Sequence, residues 1–151
     1  MNISYIDYSP ATNSLDIFVS GCHKPYCSGC CNPELFCFDA GKPWEEYVND
    51  LTMYASIYSS LFENIFLVGG SPNHQNMRDM KQLLDILKTF KKKIWLFARE
   101  DLSRVNKLFI DYCDYIKCGE YIPELTCENN IQYDVKLATS NQRIYKKGID
   151  Y

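Results

Sequence analysis

The chain has no long apolar run. Its longest stretches without a charged residue, Thr52–Phe62 and Asn64–Met77, are too short or too polar to span a bilayer. Met1–Pro10 lacks both a basic start and an apolar block and carries Asp7, so no secretory signal is read there. These two absences set the expectation of a cytoplasmic protein that does not act at a membrane. Basic excess is missing too: 16 Lys and Arg face 19 Asp and Glu, for a net charge of -3. A weakly acidic chain offers no general electrostatic case for nucleic acid. Glycine and proline are few, at 7 and 6 residues, and act as punctuation rather than as linkers. With no repeat or low-complexity block in 151 residues, a single domain over 1–151 is expected. Histidine is as scarce as tryptophan, at 2 residues. His23 and His74 stand apart in sequence, and their spacing implies no metal pair.

Cysteine is abundant by contrast, at 8 residues. In a compartment that keeps thiols reduced, so many cysteines point to metal or redox chemistry more than to disulfides. A 46% hydrophobic and 23% charged composition, with 12 Tyr and 8 Phe, supports a folded core with bulky side chains.

The periodicities alternate. Leu15–Ser20 reads as a strand that runs into Gly21 and a cysteine-rich loop, Cys22–Cys37. Trp44–Phe62 reads as a helix with Val48, Leu51, Ala55 and Tyr58, and Tyr54, Ile57 and Leu61 beside them, on one apolar stripe. Asn64–Val68 is a buried-type strand ended by Gly69-Gly70-Ser71-Pro72. Asn76–Phe90 is an amphipathic helix, with Met77, Met80, Leu83, Leu84 and Leu87 on one side. Ile94–Ala98 is a strand, Leu102–Ile110 a short helix, Tyr115–Lys117 a strand, and Ile131–Leu137 a further strand or an irregular closing segment.

Such alternation predicts an α/β fold with a mainly parallel sheet and helical crossovers. The units are too few for a closed eight-stranded barrel, which takes roughly 200 residues or more. A small partial (open) β/α barrel fits better. Ligands of parallel sheets bind at the carboxyl ends of strands. Cys22, Gly69-Gly70, Arg99 and Cys118-Gly119 all fall just beyond strand ends and should meet at one edge.

Cys22, Cys27 and Cys30 have the spacing C-x4-C-x2-C. Three thiolates in one loop without a clean second pair suit an iron–sulfur cluster with one open iron. A structural zinc loop, which takes four ligands, or a set of buried inert thiols remains open on spacing alone. Cys31 is a rival ligand. Cys37, Cys113 and Cys127 read as structural, and Cys118 as either. A thioredoxin-like redox role is disfavoured, because no matching pattern follows Cys27-Ser28-Gly29-Cys30.

Four segments carry a resemblance: LDIFVSGC with CSGCCNP, IFLVGGSP, DYIKCGEYIPEL and ATSNQRIY. In this order the chain resembles the radical S-adenosylmethionine superfamily, and within it the small activating proteins of the anaerobic (class III) ribonucleotide reductase. The segments are spread from residue 15 to residue 145, and the family is of about this length. The resemblance implies a [4Fe-4S] cluster held by Cys22, Cys27 and Cys30, with S-adenosyl-L-methionine as the second cofactor. Its methionyl end would lie against Gly69, Gly70 and Ser71, and Lys117 is a candidate contact. No catalytic residue is implied beyond the cluster ligands. The implied activity is reductive cleavage of S-adenosylmethionine to a 5′-deoxyadenosyl radical, which installs a glycyl radical on a partner. The implied partners are a glycyl radical enzyme, the reductase large subunit, and a low-potential electron donor such as flavodoxin or ferredoxin. Asn141-Gln142-Arg143 would close the edge of the site or touch the partner.

Two departures stand out. The family usually has C-x3-C-x2-C, and this chain has one extra residue within His23–Tyr26. Many relatives carry an acidic residue after the two glycines, where this chain has Ser71. A radical enzyme acting on another protein or a small molecule, and a zinc-stabilised interaction module, are the alternatives.

Overall fold

A computed structural model describes residues 1–151. Nine strands and three α-helices form: β1 (Asn2–Ser9), β2 (Ser14–Val19), β3 (Lys42–Pro43), α1 (Val48–Ile57), β4 (Asn64–Gly69), α2 (Met77–Thr89), β5 (Lys93–Phe97), α3 (Lys107–Tyr112), β6 (Tyr115–Cys118), β7 (Ile131–Gln132), β8 (Val135–Lys136) and β9 (Arg143–Lys146). Seven of the strands make one open sheet in the order β3-β1-β2-β4-β5-β6-β9, and β7 and β8 form a separate hairpin. The fold is therefore mixed α/β, and the sheet does not close on itself.

The parallel character expected from the sequence holds for the centre. β2, β4, β5 and β6 pair in parallel. Antiparallel strands extend both sides, β1 and β3 on one and β9 on the other. None of these three was read from the sequence. β1 carries a register shift between Ile3 and Tyr5, which breaks the alternation that marks a strand. Where Ile131–Leu137 was expected to be a strand or irregular, it folds as a hairpin. Tyr133 and Asp134 take φ of 49° and 65° at its turn, the left-handed pair that tight hairpins need.

The core divides by strand parity. Ile17 and Val19, Ile65 and Leu67, Ile94 and Leu96, and Ile116 point to the helices, where they meet Leu51, Met80, Leu84 and Phe109. α2 anchors this layer. Asn76 caps it, its Oδ1 accepting from the N–H groups of Arg78 (2.9 Å) and Asp79 (3.2 Å). Met80, Leu83, Leu84 and Leu87 of α2 are fully buried, each worth roughly 1.5–3 kcal/mol of transfer free energy. The amino group of Met1 pairs with Asp79, which ties β1 to the start of α2.

Two helices are shorter than their apolar patterns predict. The Trp44–Phe62 segment holds ten residues of α-helix between two 3-10 turns. Only Leu51 of α1 is buried, and Met53, Ile57, Tyr58 and Leu61 face outward. The Leu102–Ile110 segment splits into a 3-10 turn and α3, because Asn106 caps a new helix by accepting from the Leu108 N–H at 2.9 Å. No helix is long and apolar enough to cross a membrane.

The other sheet face carries no helix. Phe66, Trp95 and Tyr115 there pack with Val135 and Leu137 of the β7–β8 region and with Ile144. This face forms the floor of a cavity.

Candidate functional site

The cavity has a volume of about 660 Å³. Asp16, Phe18, Phe66, Val68, Phe97 and Lys117 line its floor. These are the alternate residues of β2, β4, β5 and β6, in antiphase to the helix-facing set. Aromatic contacts make the floor largely apolar, with Phe66 and Phe97 centroids 4.9 Å apart and Tyr5 stacked on Phe18 at 4.2 Å. Phe66 and Phe97 both border the cavity.

Cys22, Cys27, Cys30 and Cys31 line the end of the cavity at the carboxyl ends of the strands, together with Gly69, Gly70 and Ser71. The structure thus brings together the cysteine loop, the glycine turn and Lys117, which lie far apart in sequence. The loop leaves β2 and folds back on itself: Gly21 N–H donates to the Leu35 carbonyl at 2.8 Å and Cys22 N–H to the Phe36 carbonyl at 3.1 Å. Tyr26 stacks on Phe36 at 4.1 Å.

The glycine turn docks directly onto this loop. Gly70 N–H donates to the Val19 carbonyl at 2.7 Å, and Ser71 N–H reaches the Gly21 carbonyl at 3.0 Å. The same Ser71 N–H donates to the Cys22 Sγ at 3.1 Å. A Cβ on Gly70 would stand 2.7 Å from both the nitrogen and the oxygen of Gly21, so no side chain fits. The Gln75 amide crosslinks the two segments, donating to the carbonyls of Gly21 (3.1 Å) and Ser71 (3.0 Å). Sequence reading missed Gln75; a lone buried glutamine after a glycine turn leaves no periodic signal.

The thiols are half-buried at Cys22, Cys27 and Cys30, and exposed at Cys31 and Cys37. Burial pushes the Cys22 and Cys30 thiols up, against hydrogen bonds from the Ser71 and Asn32 N–H groups, the latter to the Cys30 Sγ at 3.4 Å. No three His, Cys, Asp or Glu side chains stand together as the ligands of one metal ion. Ligands of a four-iron cluster bind separate irons and stand wider apart. An open-ended cavity, three half-buried thiols and N–H donors already aimed at two of the sulfurs fit such a group. The Ser71 Oγ adds a buried polar atom without a partner at the same end.

Lys117 lies on the cavity face of β6 with its Nζ donating to the Gly119 carbonyl at 2.6 Å. Burial lowers its ammonium to about 8, partly offset by Cys118, Cys27 and neighbouring acids. Cys118, expected at the same edge, points the other way. It is the next residue along the strand, so it turns into the helix-side core, where burial pushes its thiol up to about 12. Of the cysteines read as structural, Cys113 is buried in the core, Cys127 is half-buried, and Cys37 is exposed.

In the closing segment, Gln142 borders the cavity and its amide reaches the Gly119 carbonyl at 3.3 Å. Asn141 donates to the Glu120 carbonyl at 3.0 Å, whereas Arg143 is exposed and pairs with Asp150 at 3.2 Å. The cavity also contains an acid that sequence reading passed over. Asp16 accepts from the Ser14 Oγ at 2.5 Å, and burial raises its carboxyl to about 6. The signal was there: within LDIFVS, Asp16 shares its phase with Phe18, not with Leu15, Ile17 and Val19.

Comparison with known families places these features in context. No curated protein matches the chain significantly. A family model described as a 4Fe-4S single cluster domain matches residues 13–145, which span every site residue named above.

Proposed function

The chain belongs to the family of 4Fe-4S single cluster domains, and from that premise we propose that it is a radical S-adenosylmethionine enzyme that activates a glycyl radical enzyme, the anaerobic ribonucleotide reductase. Residues 1–151 would form one radical S-adenosylmethionine domain. When bound, the cluster supplies one electron, drawn from a donor such as flavodoxin or ferredoxin, to cleave the sulfonium into methionine and a 5′-deoxyadenosyl radical, which takes a hydrogen atom from the partner's glycine.

Cys22, Cys27 and Cys30 would hold the cluster. The Ser71 and Asn32 N–H groups, donating to the Cys22 and Cys30 sulfurs, would disperse thiolate charge. Gly69 and Gly70, whose missing Cβ atoms make room for the Val19 and Gly21 backbone, would hold the turn against the cysteine loop where the methionyl group binds. The unpartnered Ser71 Oγ would accept from the substrate ammonium in place of an acidic side chain, a bond charged on the donor side alone and so weaker than the ion pair a carboxylate would make. Lys117 would face the substrate carboxylate. The aromatic floor of β2, β4 and β5 would keep water from a reactive intermediate.

The observation that carries this reading is the docking of the glycine turn on the first cysteine of the loop, through the Ser71 N–H and the Cys22 sulfur. A sheet that does not close on itself also suits a macromolecular substrate, because the chain does not seal its own cavity. The test is anaerobic reconstitution with iron and sulfide, then electron paramagnetic resonance of the reduced protein with and without S-adenosylmethionine. A four-iron signal that shifts on addition, with 5′-deoxyadenosine formed, supports the proposal. Stoichiometric zinc and no cluster would leave a binding module instead.

A further inference from the structure

The extra residue between Cys22 and Cys27 raises a physical problem. A longer chain between two ligands must bulge outward, and bulged backbone needs partners for its carbonyls. The structure supplies them from the turns that follow β4 and β5. The Arg99 guanidinium donates to two carbonyls of the bulge, to His23 O at 3.0 Å through Nη2 and to Pro25 O through Nη1. Its Nε lies 3.3 Å from Glu100 Oε1.

That same carboxylate oxygen is 2.8 Å from His74 Nε2. The other ring nitrogen of His74 accepts the His23 N–H at 2.9 Å, and the two imidazoles stack at 4.7 Å. Arg99, Glu100 and His74 are thus one connected network, and its side-chain hydrogen bonds to the loop fall on His23 and Pro25. Pro25 stands two residues before Cys27, so the bond to its carbonyl bears directly on where that cysteine lies.

We propose that Arg99, oriented by Glu100 and His74, is the positioning residue of the cysteine loop: it latches the enlarged Cys22–Cys27 interval to the strand ends and so sets where Cys27 stands. Only an arginine suits the post. Its planar fork reaches two carbonyls at once, whereas a lysine offers one point donor. The latch is a property of the metal-free chain. Only its consequence for Cys27 rests on the cluster reading.

The test is hydrogen exchange by mass spectrometry on the full metal-free chain. Arg99→Gln and Arg99→Lys are compared with Arg104→Gln, which removes an exposed arginine from the next turn. In Arg99→Gln, the His23 amide, which donates to His74, should exchange about tenfold faster or more, the scale of one lost charge-assisted bond. Arg99→Lys should fall between, and Arg104→Gln should match the wild type. Amides of β4 and β5 should stay protected in all three, which separates a freed loop from a lost fold. Wild-type exchange at the His23 amide in Arg99→Gln, with β4 and β5 protected, overturns the proposal. Should Arg99→Gln lose its strands, Arg99→Lys decides by the same criterion.

A second readout follows reconstitution. Arg99→Gln should shift the resonance spectrum of the reduced cluster and Arg104→Gln should not; identical spectra in both overturn the assignment of Cys27 as the residue positioned. If the wild type takes up no cluster, the functional reading falls, while the exchange result still decides the latch.

Discussion

The Ser71 N–H donates to the Cys22 sulfur at 3.1 Å, across 49 positions of sequence. This one bond joins the glycine turn after β4 to the cysteine loop after β2. It exists because Gly70, with no Cβ, lets the backbone of the turn lie against Gly21.

Gly70→Ala should therefore disturb both segments. Its Cβ would meet backbone rather than a yielding side chain, and overpacking of this kind costs roughly 1–3 kcal/mol. For a chain of this size the melting temperature should fall by about 2–4 °C per kcal/mol. Thermal unfolding by circular dichroism checks the loss. An unchanged melting temperature would mean that the turn has room to shift.

Cysteine replacement separates ligands from bystanders. Cys22→Ala, Cys27→Ala and Cys30→Ala should each lose the iron and sulfide taken up on reconstitution. Cys31→Ala, Cys37→Ala and Cys118→Ala should retain it. Cys118 provides the sharpest contrast, because it neighbours Lys117 in sequence yet faces the opposite side of the sheet. Metal analysis after gel filtration gives the result; iron lost in Cys118→Ala would contradict the strand parity.

Asp16 should make stability depend on acid pH in an unusual direction. Its carboxyl is raised to about 6 by burial, with the Ser14 hydroxyl pulling the other way. Between about 4 and 6 the folded chain keeps a proton that the unfolded chain has released, so this contribution falls as pH rises through that window. Asp16→Asn, which never pays for ionisation, should gain on the order of 1–2 kcal/mol at pH 7.5, less than the full shift because the group keeps some solvent. The gain should vanish near pH 4. Urea unfolding at the two pH values is the measurement, and an equal difference at both would exclude Asp16 as its source.

Lys117 carries opposed consequences for stability and binding. Its ammonium is lowered to about 8 by burial, so below that pH the fold carries a buried charge at a cost to its stability. Lys117→Met should be more stable than the wild type at pH 7, and this advantage should disappear as pH rises through the window between about 8 and 10.5. If Lys117 faces the substrate carboxylate, the same variant should bind S-adenosylmethionine about tenfold more weakly, the scale of one charge-assisted bond. Calorimetric titration of the reconstituted protein tests the second part independently of the first.

Legibility in the sequence followed the strength of local pattern. α2 could be read almost to the residue, because Asn76 caps it and four apolar side chains recur at helical spacing. β2, β4, β5 and β6 could be read as short apolar runs. The meeting of Cys22 with Gly69-Gly70 followed from their positions beyond strand ends. β1, β3 and β9 were not legible, since a bulge interrupts the first, the second has two residues, and the third borrows its order from β6. The latch around Arg99 was hidden for another reason. Its bonds go to carbonyl groups, which every residue has, so no residue type in the loop advertises them.

Each central strand carries two texts on alternate letters. One is read by the helices and keeps the chain folded; the other is read by whatever enters the cavity. Because Ile17, Leu67 and Leu96 belong to the first and Asp16, Phe66 and Phe97 to the second, the cavity can be rewritten with little cost to the packing beneath it. Selection for a new guest can thus act on one side of the sheet while the other side holds still.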